Sequence, residues 1–208
     1  MQFKLALCVV VSLASLVFAQ DRNLATVKKA FTAAHIPSDI HINFNPRVLF
    51  EVSFPQTSGP AIPVHAGLQL PRNATAGPPR FSIRSNALAT RGPFVVATVD
   101  PDAPTPQTPT SAQIRHFLGG NFHLGPTGRL TNSTAAISNF LQPTPPAGSD
   151  PHRYVFLLFE QPRGFNQQKL VNSTTSIANF NISSFAAAVG LGQPIGGTFI
   201  RVGPDPSA

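Results

Sequence analysis

Two short runs constrain this chain most: Phe94-Val95-Val96-Ala97-Thr98-Val99 and Tyr154-Val155-Phe156-Leu157-Leu158-Phe159. Each is continuous, and almost wholly apolar on both sets of alternating positions. Successive side chains of a strand point to opposite faces, so such runs read as strands covered on both sides. The second is the strongest strand signal in the chain.

The sequence around them is heavily punctuated. The 22 prolines and 15 glycines lie between apolar runs with no fixed period, the mark of turns in a loop-rich fold. In residues 47–54, Val48, Phe50, Val52 and Phe54 alternate with more varied partners, predicting a strand that Pro55 ends. In residues 23–35, Leu24, Val27, Lys28, Phe31 and Ala34 fall near helical spacing, with Asp21 or Asn23 as the cap and Pro37 beyond the end. Residues 57–90 read mostly as loop, with Arg80-Phe81-Ser82-Ile83 a short strand candidate. Strand character resumes in residues 116–122. Residues 171–189 are ambiguous, with Ser183 or Ser184 as the cap of a short helix through Phe185 and Ala188. Short strands between turn signals, with few helices, argue for a mainly β fold: a β-sandwich or a barrel-like closure.

Composition bounds the rest. At 208 residues, 42% hydrophobic and 11% charged, the chain can bury one substantial core. Residues 1–19 read separately as a signal peptide: a basic start through Lys4, an apolar run over 5–16, and Val17-Phe18-Ala19 before the expected cleavage. That apolar run is shorter than the roughly 20 residues needed to span a bilayer, and no other segment qualifies as transmembrane. Cleavage would remove Cys8, the only cysteine, and with it any disulfide, thiol nucleophile or thiolate metal site. It would also remove Lys4, taking the net charge from +7 to +6. In a secretory pathway the sequons at Asn73, Asn132, Asn172 and Asn181 become glycosylation sites on the surface. The basic residues are scattered singly, Lys28-Lys29 being the only adjacent lysines, which disfavours nucleic acid as a partner.

The chemistry-bearing residues form two clusters beside the apolar runs. Asp100-Pro101-Asp102-Ala103-Pro104 follows the first, His152-Arg153-Tyr154 opens the second, and His116 lies between. The prolines stiffen the acidic segment, although Asp and Pro also dominate ordinary turns. Alternation places His152 and Tyr154 on one face and Arg153 on the other. An arginine beside so apolar a strand calls for a carboxylate, and Asp100 or Asp102 is the natural partner.

The Asp-Pro-Asp-Ala-Pro segment, the His116-Phe117-Leu118 that follows it, and the run from Pro145-Pro146 through His152-Arg153-Tyr154 to Glu160-Gln161 closely resemble the phosphatidylethanolamine-binding protein family. Residues 185–198, with Pro194-Ile195-Gly196-Gly197-Thr198, resemble the family's closing segment. The resemblance implies one domain over 20–208, an antiparallel β-sandwich with a few short helices. It also implies a small anion pocket at one end, carried over by position to Asp100, Ala103, Pro104, His116, Pro145, Pro146, His152 and Tyr154, with Asp102 and Arg153 as structural support. Asp150 stands where the family usually has glycine, and is expected to add negative charge at the pocket mouth.

The implied function is that of a secreted, non-catalytic binding protein without a cofactor, taking a phospholipid headgroup or a small phosphorylated ligand. Inhibition of a secreted serine carboxypeptidase, as in some fungal-type relatives, is the alternative. Asp100, His116 and His152 also match a two-histidine, one-carboxylate metal triad in residue type, but an anion site is the more economical reading. Neither Gly-x-Ser-x-Gly nor His-Glu-x-x-His occurs, so hydrolysis lacks its usual motifs.

Overall fold

The computed structural model describes residues 20–84 and 92–205. The expected leader with Cys8 and the last part of the loop-rich stretch, 85–90, lie outside the described residues. The strands are β1 (Leu49–Phe54), β2 (Ile62–Pro63), β3 (Leu68–Leu70), β4 (Arg80–Arg84), β5 (Phe94–Asp100), β6 (Ile114–Leu124), β7 (Leu130–Asn132), β8 (His152–Glu160) and β9 (Gly196–Val202). The helices are α1 (Leu24–Ala33), α2 (Ile36–Asp39) and α3 (Ile182–Val189). The strands form a small sheet in the order β2-β1-β4 and a large one in the order β3-β9-β8-β5-β6-β7. Pairing is antiparallel except between β3 and β9, which run parallel.

Both apolar runs are central strands of the large sheet, paired with each other, and each of their faces has its own cover. Phe94, Val96, Tyr154, Phe156 and Leu158 pack on Phe50, Val52 and Phe54 of β1 and on Phe81 and Ile83 of β4. Val95, Ala97, Val99, Val155, Leu157 and Phe159 pack on Val27 and Phe31 of α1, on Phe185 of α3, on Phe165 of a short 3-10 turn, and on Phe44 and Phe180 from loops. The result is a sandwich of two sheets with the helices as a third layer. Every residue of β5 is buried, and each large apolar side chain so removed from water contributes about 1.5–3 kcal/mol. Phe31 stacks on Phe44 at 3.8 Å and meets Phe199 edge-on at 5.4 Å, fixing α1 against β9.

Local signals explain most element ends. The Asn23 side chain accepts the Ala25 N–H at 2.7 Å and caps α1. Pro37 lies in the first turn of α2, where a missing N–H costs nothing. The cap of α3 is Asn181, which accepts the Ser184 N–H at 2.9 Å; Ser183 and Ser184 are already inside the helix. Gly190, with φ of 75°, ends it in the left-handed region.

The sequence pattern leaves four strands unmarked: the short β2 and β3, which lie in the stretch read as loop, the short β7, and the longer β9 inside the large sheet, which begins at Gly196. Strand β9 begins with two glycines, which weaken a strand signal. Packing demands them: a Cβ on Gly196 would meet the Val48 Cγ2 at 2.9 Å, and one on Gly197 the Phe156 carbonyl at 3.0 Å.

One row of the large sheet carries an energetic defect. Thr98, Phe156 and Thr198 are cross-strand neighbours, and the Thr98 and Thr198 hydroxyls are buried without a hydrogen-bond partner among the described residues. Replacing either by the near-isosteric valine removes a desolvated polar group. Thr98→Val and Thr198→Val are each expected to raise stability by about 1 kcal/mol in urea unfolding, and a lowered midpoint would refute the assignment.

Candidate functional site

Topology assembles the polar cluster. Strand β5 runs antiparallel to both neighbours, so its carboxyl end lies beside the starts of β6 and β8. These three ends supply Asp100, His116 and His152. A β-bulge then aims the middle one. Thr98 pairs with Phe117 and Val99 with Arg115, leaving His116 as the extra residue between them. Arg115 therefore faces the helical layer, with its guanidinium 5.0 Å from the Phe180 ring centre. His116 turns the other way and meets the Tyr154 ring edge-on at 4.9 Å.

The cluster is closely bonded and buried. Asp100 Oδ1 accepts the Asp102 N–H at 2.7 Å, and its Oδ2 accepts from His152 Nδ1 at 2.8 Å. On the far side of the His152 ring, Nε2 lies 3.1 Å from the Pro104 carbonyl and 2.9 Å from Ser149 Oγ, whose own proton goes to the Asp150 carbonyl at 2.8 Å. Both ring nitrogens thus face acceptors, which suits the doubly protonated imidazolium. Burial works against that charge, but the hydrogen bond to Asp100, the Asp100 and Asp102 charges and the Pro104 carbonyl outweigh it, and the His152 pKa is raised.

His116 is the opposite case. Its Nδ1–H donates to the Leu141 carbonyl at 2.9 Å, while Nε2 has no hydrogen bond among the described residues and stands 4.0 Å from Asp100 Oδ2. Burial lowers its pKa, and the His152 charge adds to the effect against the pull of Asp100 and Leu141. Tyr154 is held firmly as the neutral phenol, by burial first and then by the Asp100 charge, which together outweigh the opposing hydrogen bond from the Thr144 backbone.

Other residues named from the sequence take distinct places. Ala103 is buried and its carbonyl accepts the Ser111 N–H, while Pro104 is exposed. Pro145 is buried and Pro146 exposed, in the loop that brings Thr144 to Tyr154 and Ser149 to His152. The carboxylate partner of Arg153 is Asp102, not Asp100. Asp102 accepts from the Arg153 backbone N–H at 2.7 Å, from Nε at 3.0 Å and from Nη2 at 2.6 Å, while Nη1 reaches Asp39 at 2.7 Å and the Ala34 carbonyl. Asp150 turns its carboxylate to Gln107 and lines a separate cleft with Arg153 and Arg201. Asn73, Asn132, Asn172 and Asn181 are all exposed.

Ser149 and the carbonyls of Leu141 and Pro104 escape a search for charged residues. Ser149 has a signal in its place three residues before His152, but a backbone carbonyl leaves none.

The two histidines predict a stability profile with opposed limbs. His152, with its pKa raised above the ordinary 6.5, adds stability that is complete below that value and is lost as pH rises through the raised one. His116, with its pKa lowered, leaves stability intact above 6.5 and loses it as pH falls toward the lowered value. In urea midpoints across this range, His116→Gln should flatten the acid limb and His152→Gln the alkaline one. Unchanged limbs would contradict the assigned protonation states.

Comparison with known proteins gives three findings. The family model described as phosphatidylethanolamine-binding protein matches residues 57–200. Protein BROTHER of FT and TFL 1 from Arabidopsis thaliana is 30% identical over 163 residues, covering 78% of this chain and 84% of that protein, and a 26 kDa secreted antigen of Toxocara canis is 31% identical over 111 residues, 52% of this chain and 41% of the antigen. Among solved structures, carboxypeptidase Y inhibitor, crystallised with its cognate proteinase, superposes with a TM-score of 0.75 over 88% of this chain and 97% of the inhibitor, at 22% identity that speaks for the fold alone.

Proposed function

Because the chain belongs to the phosphatidylethanolamine-binding protein family, we propose that it is a non-catalytic binding protein whose cluster at the end of the large sheet receives a phosphate. The phosphate belongs to a phospholipid headgroup or a small phosphorylated ligand. Asp100, Ala103, Pro104, His116, Pro145, Pro146, His152 and Tyr154 form the site.

One observation carries this reading: His116 Nε2 is unbonded beside an Asp100–His152 ion pair whose charges cancel. An arriving anion meets no net negative charge there. It also makes protonation of His116 favourable, since the new N–H would donate to a phosphate oxygen. Tyr154, kept as the phenol, is a second polar group beside it.

Binding should therefore take up a proton. Glycerophosphoethanolamine, a phosphodiester whose phosphate charge stays fixed, is expected to shift the His116 and His152 resonances saturably. Its affinity should rise as pH falls toward the lowered His116 pKa and level off below it, by at most about tenfold per pH unit, the limit for one proton. His116→Gln should weaken binding and abolish its pH dependence. Absence of saturable shifts, or pH-independent binding by the unaltered protein, would overturn the reading. Dose-dependent inhibition of carboxypeptidase Y that survives His116→Gln, without headgroup binding, would instead favour a protease-inhibitor role.

The same proposal places the protein outside the cell, with residues 1–19 removed, a single domain over 20–208, and glycans on some of Asn73, Asn132, Asn172 and Asn181. The exposure of all four asparagines supports it. The protein recovered from culture medium should begin at Gln20 and lose mass on treatment with an N-glycosidase; retention of residues 1–19 would refute the cleavage.

A further inference from the structure

The side of β6 opposite the histidine cluster holds a buried cation without a counter-ion. Arg115 is 1% exposed. Its Nε donates to Ser138 Oγ at 2.6 Å, Nη1 to the Ser176 carbonyl at 3.1 Å and Nη2 to the Thr175 carbonyl at 2.9 Å. Each terminal nitrogen keeps one further N–H without a partner among the described residues. The sequence has eight Asp and Glu residues, all within the described segments, and none pairs with Arg115. Burial opposes its charge and lowers its pKa.

Taking a charge out of water costs several kcal/mol unless an opposite charge or a full set of hydrogen bonds offsets it. Two carbonyls, a hydroxyl and the Phe180 ring face offset part of this. They account for Arg115 as a staple holding the 172–180 loop to β6. They do not account for a cleft of about 420 Å³ that Arg115 and the 175–181 segment help to line. Its walls are apolar at Leu170, Val171, Phe180, Phe185 and Ala188 and polar along the 175–181 segment and at Ser184, and Leu170 is 57% exposed. The volume falls within the range of roughly 300–1,000 Å³ typical of small-molecule sites.

We propose that this cleft binds a small amphiphilic monocarboxylate, its head on the free N–H groups of Arg115 and its apolar body between Leu170 and α3. A planar carboxylate matches the guanidinium fork and supplies the single negative charge that the chain itself does not. An alkyl or aryl body matches the apolar part of the wall, between Leu170, Phe180, Phe185 and Ala188. The site is distinct from the phosphate cluster, because the bulge sends Arg115 and His116 to opposite faces of the sheet.

Titration of the full-length secreted protein with dodecanoate, below its micelle concentration, tests this. One saturable site is expected, with dodecanol binding at least tenfold more weakly, and with Arg115 side-chain N–H resonances shifted by the acid alone. Ala188→Trp, which fills the cleft from the exposed side of α3 and leaves Arg115 in place, should weaken dodecanoate at least tenfold, and His116→Gln should leave it unchanged. Arg115→Met should likewise abolish the preference for acid over alcohol; if it does not fold, the Ala188→Trp and dodecanol arms decide. Equal binding of acid and alcohol, no saturable binding, or full binding by Ala188→Trp would overturn the proposal.

Discussion

Two carboxylates of one tight turn hold two consecutive residues of β8, and the layers of the protein are joined through that grip. Asp100 takes His152 on the face toward the small sheet, and Asp102 takes Arg153 on the face toward the helices. Arg153 then reaches on to Asp39 and the Ala34 carbonyl. The same few atoms thus fix the end of β5 to the start of β8, orient an imidazolium, and tie α1 and α2 to the large sheet. Breaking one side of such a buried pair leaves an uncompensated charge, a loss of about 3–5 kcal/mol in comparable sites. The turn residue between the two aspartates is a proline, whose fixed φ leaves the carboxylates little freedom to swing away.

The second constraint is the single extra residue in β6. Without it, strict alternation would put Arg115 and Phe117 on one face and His116 on the other. The bulge places Phe117 opposite Thr98 on the small-sheet side and Arg115 opposite Val99 on the helical side, and it releases His116 toward Tyr154. One irregularity therefore completes the histidine cluster and also buries a cation on the far face. The two histidines end with opposite protonation preferences although they flank the same Asp100. The difference lies in distance and in what faces the second nitrogen: His152 has the carboxylate at 2.8 Å and a carbonyl beyond, while His116 has it at 4.0 Å and an unbonded Nε2.

Much of this was legible in the chain. The two apolar runs declare central strands, since nothing but cover on both faces makes residues 94–99 and 154–159 tolerable. Alternation in β1 and the polar cap of α1 are read from side-chain periodicity and from Asn23. The sequence narrows the partner of Arg153 to two aspartates, but choosing Asp102 needs the turn geometry. Other features depend on contacts distant in sequence. The glycines opening β9 look like breakers until Val48 and the Phe156 carbonyl are seen against them. The bulge at His116 is a register fact that exists only between paired strands, and the carbonyls of Pro104 and Leu141 carry no side-chain signature. The expectation that Asp150 charges the pocket mouth followed from its place in sequence; in the fold it faces Gln107 and a different cleft.

Carboxylates are the scarce resource in this protein: eight against fifteen lysines and arginines. Their placement is uneven. Two sit within a three-residue span at the end of β5, where burial makes each pairing count most, and the ion pairs Arg47–Glu160 and Arg72–Asp205 sit at the surface, where each contributes about 0–1 kcal/mol. Arg115 is buried and receives none. A chain stabilised only from within could have matched that cation with one of its surface acids, or placed methionine there at little cost in packing. Retaining a guanidinium at the wall of a cleft, with no acid of the chain to meet it, fits a charge whose complement arrives from outside. The neutralised histidine cluster and the uncompensated arginine then represent two electrostatic solutions on opposite faces of one strand: in the proposed reading the first gains its positive charge by proton uptake, whereas the second carries it throughout.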